Sequence, residues 1–453
     1  ILRQAVTATS QLGTAGTFAV VDRVGNVLAV YQMSGAPATT TINGQLGAAG
    51  GLEGAVVPST LAAISKAGTG AYLSSQGNAF STRTASQIIQ EHFDPGQTNA
   101  PGGPLFGVQI SQLSCSDVTV KGAGSAGPRP LPLGLAGDPG GIPLYKNGDI
   151  VGGIGVEFDG IYTVDRNIFD FDDDPEERVA LSASLGFEAP SERVADNIVV
   201  GGRSLRFSDI SYSDITAPES LNDLEPSGLK AVPGYCGASI RGGVTFGSPE
   251  SGIAVTTRAG VPAAVLTGRF GTKAGRPLPN GAQLQVADVE ALLNSAILTA
   301  SRTRAAIRYP LDTNARVSIF VVDDLGNPLG FVRSQDAPVF GCDVALQKAR
   351  GAALFSSADA GTVLAQGQGF SRNYSAETVA FTGVPLNGSY AYAARSIGNM
   401  ARPFVPDGID GMEPIQHRTA TRYRQNCAAR RRGKSSQPVS WMRIWIRPRW
   451  SRS

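Results

Sequence analysis

The sequence predicts an α/β fold of the α+β kind, in which two repeated units, each an antiparallel sheet flanked by helices, are joined by a β-rich connector. The stretch "VVDRVGNVLAVYQMSGAP" at 20–37 recurs as "VVDDLGNPLGFVRSQDAP" at 321–338. Related helical patterns precede and follow both copies. With 56 Gly, 28 Pro and only 17% charged residues, the 453-residue chain suits short strands and turns better than long exposed helices.

The first unit begins with an apolar helical pattern, "ILRQAVTATS" at 1–10, which parallels "LLNSAILTAS" at 292–301. The hairpin follows, with Gly25 and Asn26 supplying the tolerance of positive φ that a short loop needs. Its first strand is almost continuously apolar, so we expect it to be covered on both faces. A Gly-rich insertion at 42–54 separates the hairpin from a helix containing "SKAGTGAYLSS" at 65–75, the counterpart of "QKARGAALFSS" at 347–357.

A closing hairpin completes the first unit. It is predicted at 140–160, where Asn147 and Gly148 separate two apolar runs. A helix should then begin after Asp174, with that residue as N-cap, Pro175 in the first turn and two glutamates behind it.

The remaining chain divides into three parts. Short β-like runs separated by Gly and Pro indicate a β-rich connector at 191–285, after a first unit at 1–190. The second unit, at 286–400, lacks a closing hairpin, so we expect its sheet to expose an edge. An irregular basic tail, which need not be native, occupies 401–453.

The charge is distributed unevenly. From Arg418 onward there are eleven Lys and Arg and no acid, whereas the rest holds 28 basic and 37 acidic residues, a net charge of −9. An acidic body excludes a nucleic-acid footprint on the folded part. The tail could be an arm for a membrane surface or a nucleic acid, but we favour an out-of-frame end.

Targeting signals are sparse. No run of about 18 apolar residues exists, so no transmembrane segment is predicted. The chain starts at Ile1 within a helical pattern, and we expect that a leader has been removed. Cys115 and Cys236 either pair in an oxidising compartment or are two unrelated thiols.

Several motifs resemble the GlcG/HbpS-type haem-binding family, also found as the C-terminal domain of PduO-like proteins. They lie at 20–29, 66–67 and 140–156 in the first unit and at 321–330 and 342–349 in the second. The segment 77–96 is similar to that in large two-repeat bacterial members. The resemblance implies a compact αβ sheet domain, often a homo-oligomer, that binds haem or a related tetrapyrrole; some members are extracellular, so we expect a periplasmic or secreted protein.

The resemblance directs attention to a few side chains. A haem iron usually takes His, Met, Cys or Tyr as axial ligand. His92, which would close the helix "TASQIIQEHF", is the metal-ligand candidate, although a helix cap is the simpler interpretation. Tyr72 and Met33 are alternative ligands that are more often core residues.

Three cations are candidates for a haem propionate or another anion. Lys66 and Lys348 occupy equivalent places in the two units, and Arg83 lies in "FSTRTAS". Solvated side chains whose stems cover apolar surface are the alternative for all three. The acid-rich "DRNIFDFDDDPEE" at 165–177 offers oxygen ligands for Ca²⁺, but it lacks the pattern of an EF-hand loop, so a helix-capping loop is the default.

No catalytic residues are assigned. There is no G-x-S-x-G elbow and no phosphate-binding loop. Three hypotheses follow: a haem-binding protein without turnover, an enzyme of haem breakdown or of small hydroxy acids, and a structural assembly module without ligand. The first is favoured by the resemblance.

Overall fold

The computed structural model describes residues 1–44, 52–90, 92–95, 97, 102–122, 125–366, 375–376, 379 and 383–399. Over these residues the protein has the predicted mixed α/β fold, with antiparallel-rich sheets and flanking helices. The basic tail with His417 and much of the Gly-rich insertion, at 45–51, lie outside the described residues. No helix in the described part is long and apolar enough to cross a membrane.

The first sheet combines the two predicted hairpins. Its strands are β1 (Thr17–Asp22), β2 (Val27–Gln32), β5 (Gly141–Lys146) and β6 (Asp149–Glu157), in the antiparallel order β2-β1-β6-β5. Every residue of β1 is buried, as its continuous apolar sequence predicts. Helix α1 (Leu2–Gln11) precedes this sheet, and α2 (Ser59–Leu73) packs across it.

Two glycines of β6 allow α2 to approach the sheet closely. A Cβ atom at Gly153 would lie 2.1 Å from the carbonyl oxygen of Ala67, and one at Gly155 would lie 2.1 Å from that of Ala63. Neither position can therefore carry a side chain. The "GGIGV" motif brings the helix backbone against the sheet.

Smaller elements surround this core. A second sheet contains β3 (Thr39–Ile42), β4 (Val56–Pro58) and β7 (Ile161–Tyr162). Helix α4 (Pro175–Ala183) begins as predicted, because the Asp174 carboxylate accepts from the amides of Glu176 and Glu177, both at 2.9 Å. In the closing hairpin Asn147 and Gly148 both take positive φ, at 53° and 82°.

Helix α3 (Thr82–Ile89) is shorter than its sequence pattern predicts. Gln90 is extended, and the chain at 103–105 returns to donate from the amides of Gly103 and Leu105 to the carbonyls of Gln90 and Ile88, both at 2.9 Å. These contacts end the helix. The prediction that His92 closes the helix was therefore wrong: it lies beyond the helix end, half-buried.

The connector is mostly irregular chain with short 3-10 helices and four strands. It contains β8 (Val199–Val200), β9 (Arg203–Ser204), β10 (Ile253–Arg258) and β11 (Val261–Leu266). The thiol of Cys236 in this segment is free, whereas Cys115 is disulfide-bonded, so the two neither pair with each other nor form two free thiols.

The second unit has the order helix, hairpin, helix, as the start of the first has, but without counterparts of β3 and β4 among the described residues. Helix α5 (Val286–Arg302) precedes β12 (Ser318–Val322) and β13 (Pro328–Ser334), and α6 (Gly341–Phe355) follows. Its sheet has the order β10-β11-β13-β12, because the connector strand β11 pairs with β13. Among the described residues no strand covers the outer edge of β12, where the first unit has β6. Short helices α7 (Ala360–Ala365) and α8 (Ala394–Asn399) come last.

The two recurring turns have the same construction. In the first, the Asp22 carboxylate accepts from the amides of Val24 and Asn26 at 3.1 and 2.9 Å. In the second, Asp323 accepts from the amides of Leu325 and Asn327 at 3.0 and 2.9 Å. Only the glycines take positive φ (Gly25 80°, Gly326 76°), whereas both asparagines donate their side-chain amides to the aspartates.

Candidate functional site

A buried ion cluster surrounds Lys66. Its ammonium lies 2.6 Å from an oxygen of Asp138 and 3.0 Å from one of Glu157, and it also contacts Glu176. The lysine side chain is fully buried, and the three carboxylates are 4% exposed or less. They arrive from the segment before β5, the end of β6 and the first turn of α4. Lys66 is therefore held by protein partners alone.

Burial and charge act in opposite directions in this cluster. Burial lowers the pKa of Lys66, but the three carboxylates outweigh it and raise that pKa well above its ordinary value. Burial raises the pKa of Asp138, Glu157 and Glu176, more than the lysine lowers it. One ammonium cannot balance three ionised carboxylates, so the cluster favours retention of protons.

The same three carboxylates form a possible metal site by geometry, since one oxygen of each lies within 4.8 Å of the others. The ammonium of Lys66 already contacts all three, and it supplies the positive charge that a cation would bring. We therefore interpret the cluster as a structural ion network.

Arg83 occupies a second buried network on the other side of the α4 N-terminus. Its Nε and Nη2 donate to the two oxygens of Glu177, both at 3.2 Å, and Nη1 lies 3.0 to 3.2 Å from Asp165, Asp172 and Asp209. Burial raises the pKa of Glu177 to about 7, although the guanidinium lowers it. Asp165 and Asp172 of the acid-rich loop are thus paired with the guanidinium of Arg83.

The candidate iron ligands lie apart from each other. The Tyr72 hydroxyl is buried against the carbonyl oxygens of Val24 and Arg129, at 2.8 and 2.7 Å, so ligation would break one of these contacts. The Met33 sulfur accepts from the amide of Gly16 at 3.5 Å. His92 lies in the loop after α3. The structure does not bring the three together with Lys66 or Arg83.

Lys348 lies in a different environment from Lys66, although each is the eighth residue of a 15-residue helix. Lys348 is exposed and lines a cleft of about 310 Å³ between the two units. The first unit contributes Leu73, Phe80 and Ile88 to its walls. The second contributes Ser318 of β12, Phe340 just before α6, and Val344 and Ala345 of α6.

The walls of the cleft are mostly apolar, and two cationic side chains lie in its lining. Arg316, half-buried just before β12, joins Lys348 in its lining. Neither forms an ion pair with any residue that the structure describes. Volumes near 300 Å³ are at the lower end for small-molecule sites. The arrangement suits an apolar molecule with an anionic edge.

Sequence reasoning found the two lysines but missed Asp138, Glu157, Arg316 and the cleft. These residues are far from each other in the chain, and nothing in their local patterns distinguishes them from surface charges. A signal existed for Glu176, which the helix-start pattern places at the N-terminus of α4.

Comparison with known proteins identifies similar solved structures. No family model matches the chain, and no curated protein matches it. A solved PduOC–haem complex is 17% identical, with 42% of this chain and 91% of that chain covered and a TM-score of 0.25. The ORFY protein of Klebsiella pneumoniae, described as a DUF336 protein, is 19% identical, with 41% and 86% covered and a TM-score of 0.23. The haem belongs to the first of those proteins, and for this chain it is a proposal.

Proposed function

We propose that the protein binds a tetrapyrrole of the haem class, without turnover, in the cleft between its two units. The main support for this proposal is the position of Lys348. In the first unit the equivalent lysine meets three carboxylates, one of them at the end of the closing hairpin. In the second unit no described hairpin stands there, and the ammonium faces a cleft. A ligand carboxylate would take the place of the missing protein carboxylates.

The cleft fits part of a haem group and not all of it. Apolar walls suit the edge of a macrocycle, and Arg316 and Lys348 suit propionates. Ile307 and Lys348 in its lining are exposed, so a ligand larger than the cleft can protrude. The lining contains no His, Met, Cys or Tyr among the described residues, so it offers no axial ligand for iron. Recognition in this proposal depends on the macrocycle and its carboxylates.

A titration of the full chain with haemin and with iron-free protoporphyrin IX tests the proposal. We expect saturable binding of both, with similar affinity, followed by absorption and fluorescence. Replacement of both cations, Arg316→Met with Lys348→Met, should weaken binding by about tenfold or more, because charge-assisted hydrogen bonds are lost. Lys273→Met removes an exposed lysine outside the cleft and is the control.

The outcomes separate the alternatives. Absence of saturable binding, or equal binding by the double variant, would refute the proposal. Binding of haemin alone, lost in His92→Ala, would move the ligand to an iron site at His92. Formation of a product from haemin with a reductant would favour the enzyme hypothesis.

The location and the oligomeric state are part of the same proposal. A periplasmic or secreted location and a homo-oligomer are implied by the family resemblance. Fractionation of producing cells and light scattering of the purified protein test them.

A further inference from the structure

Three buried arginines lie near one carboxylate where the two units meet. The side chains of Arg23, Arg308 and Arg333 are 7%, 4% and 0% exposed, and their neighbour Asp336 is 12% exposed. We call these four residues the arginine cluster. Its formal charge is strongly positive, and burial of an unbalanced charge is costly.

Both carboxylate oxygens of Asp336 already accept from protein donors. One oxygen accepts from Arg23 at 2.7 Å, the other contacts Arg308, and both also accept from the amide of Gln76 at 3.1 and 3.2 Å. The Nε atoms of Arg23 and Arg308 have no acceptor among the residues that the structure describes. Asp336 therefore leaves nothing for the third arginine.

Arg333 is the least satisfied member. Its Nη1 lies 3.7 Å from the sulfur of Cys342, a weak acceptor, and its Nε and Nη2 have no acceptor in the described part of the chain. The ring of Phe246 lies 3.8 Å from the guanidinium of Arg23 and 5.5 Å from that of Arg333. A cation–π contact with this ring offsets part of the positive charge. The ring provides no acceptor in the plane of the guanidinium for its N–H groups.

The two nitrogen atoms of Arg333 that lack an acceptor lie side by side. Nε and Nη2 form one edge of the planar guanidinium, which matches the two oxygens of a carboxylate or phosphate. Arg83 uses the same edge for the carboxylate of Glu177, with both distances at 3.2 Å. In Arg333 this edge has no acceptor within the described ranges of the chain.

We propose that the free edge of Arg333 binds a small oxyanion, a carboxylate or phosphate, inside the arginine cluster. Arg333 lies on the strand next to the cleft wall, since its β-ladder partner Ser318 lines the cleft. The site is separate from the cations that the proposed function uses, Arg316 and Lys348. Its occupation does not depend on tetrapyrrole binding.

Thermal unfolding of the full chain in different salts tests this site. Phosphate and acetate are each titrated at constant ionic strength, with sodium chloride as the balance. We expect a saturable rise in Tm of about 3 °C at a hundredfold excess over Kd for at least one oxyanion. A response to acetate alone identifies a carboxylate site, and one to phosphate alone a phosphate site.

Variants connect the effect to Arg333. Arg333→Lys keeps the charge but loses the planar edge, so the oxyanion response should disappear, and Arg333→Met should lose it as well. Arg276→Met is the control, because the same edge of this exposed arginine is occupied by Asp324. If neither oxyanion differs from chloride, or if both Arg333 variants keep the response, the proposal is wrong. Calorimetric titration of the unsubstituted protein decides the matter if both variants fail to fold.

Discussion

Lys66 and Lys348 show how one residue position acquires two roles. Both are the eighth residue of a 15-residue helix, but Lys66 is fully buried among three carboxylates and Lys348 is exposed in a cleft. The difference arises from the residues around them rather than from the lysines. Local sequence could indicate the position but not the partners.

This difference predicts unequal costs of substitution. Lys66→Met should lower the free energy of unfolding at neutral pH by about 3–5 kcal/mol, because three buried carboxylates lose their cation. Lys348→Met, the matched control, should change it by about 0.5 kcal/mol or less. Urea denaturation of both variants measures the difference. Equal effects would contradict the account of the buried cluster.

The Arg83 network predicts a pH dependence. The pKa of Glu177 is raised to about 7 in the folded protein, above its ordinary value of 4.5. The folded state therefore binds the extra proton, so this contribution is full below about pH 4.5 and is lost as the pH rises through about 7. Over that interval it amounts to about 3 kcal/mol.

Glu177→Gln should remove this part of the pH dependence. Urea denaturation between pH 4.5 and 7.5 should show a flatter curve for the variant than for the unsubstituted protein. Glu192→Gln, at a partly exposed carboxylate, serves as control and should leave the curve unchanged. A variant curve with the original slope would show that Glu177 does not carry the proton.

At the scale of elements, the recurring hairpin is held by its turn aspartates. Asp323 accepts from two backbone amides and from the side chain of Asn327. Asp323→Ala should cost about 1–3 kcal/mol of unfolding free energy, because these donors lose their acceptor. The adjacent Asp324→Ala removes only an exposed pair with Arg276 and should cost about 0.5 kcal/mol. Thermal unfolding distinguishes them, and equal losses would refute this role for the turn.

The elements were largely predictable because their signals are local. Alternating or continuous apolar runs indicated the strands, Asn147 and Gly148 indicated the closing turn, and Asp174 indicated the start of α4. The end of α3 was missed because the chain at 103–105, which ends the helix, lies more than ten residues beyond it.

At the scale of the whole molecule, the cleft follows from an asymmetry between the two sheets. The first unit covers β1 with the closing hairpin, whereas the second extends its sheet on the side of β13 with connector strands. The sequence predicted that the second unit has no closing hairpin, and the described residues contain none. The cleft was not predicted, because its walls come from both units and depend on how they pack.

The most direct test of tetrapyrrole binding in the cleft is a substitution that blocks the cleft. Ala345 is half-buried in its wall, and Ala345→Trp would fill the space that a ligand needs. Leu292→Trp, at a residue 49% exposed on α5, adds the same ring outside the cleft. The measurement is the affinity of each full-length protein for protoporphyrin IX. We predict a loss of about tenfold or more in Ala345→Trp and none in Leu292→Trp; equal affinities in the two variants, or no saturable binding by the unsubstituted protein, would contradict the account.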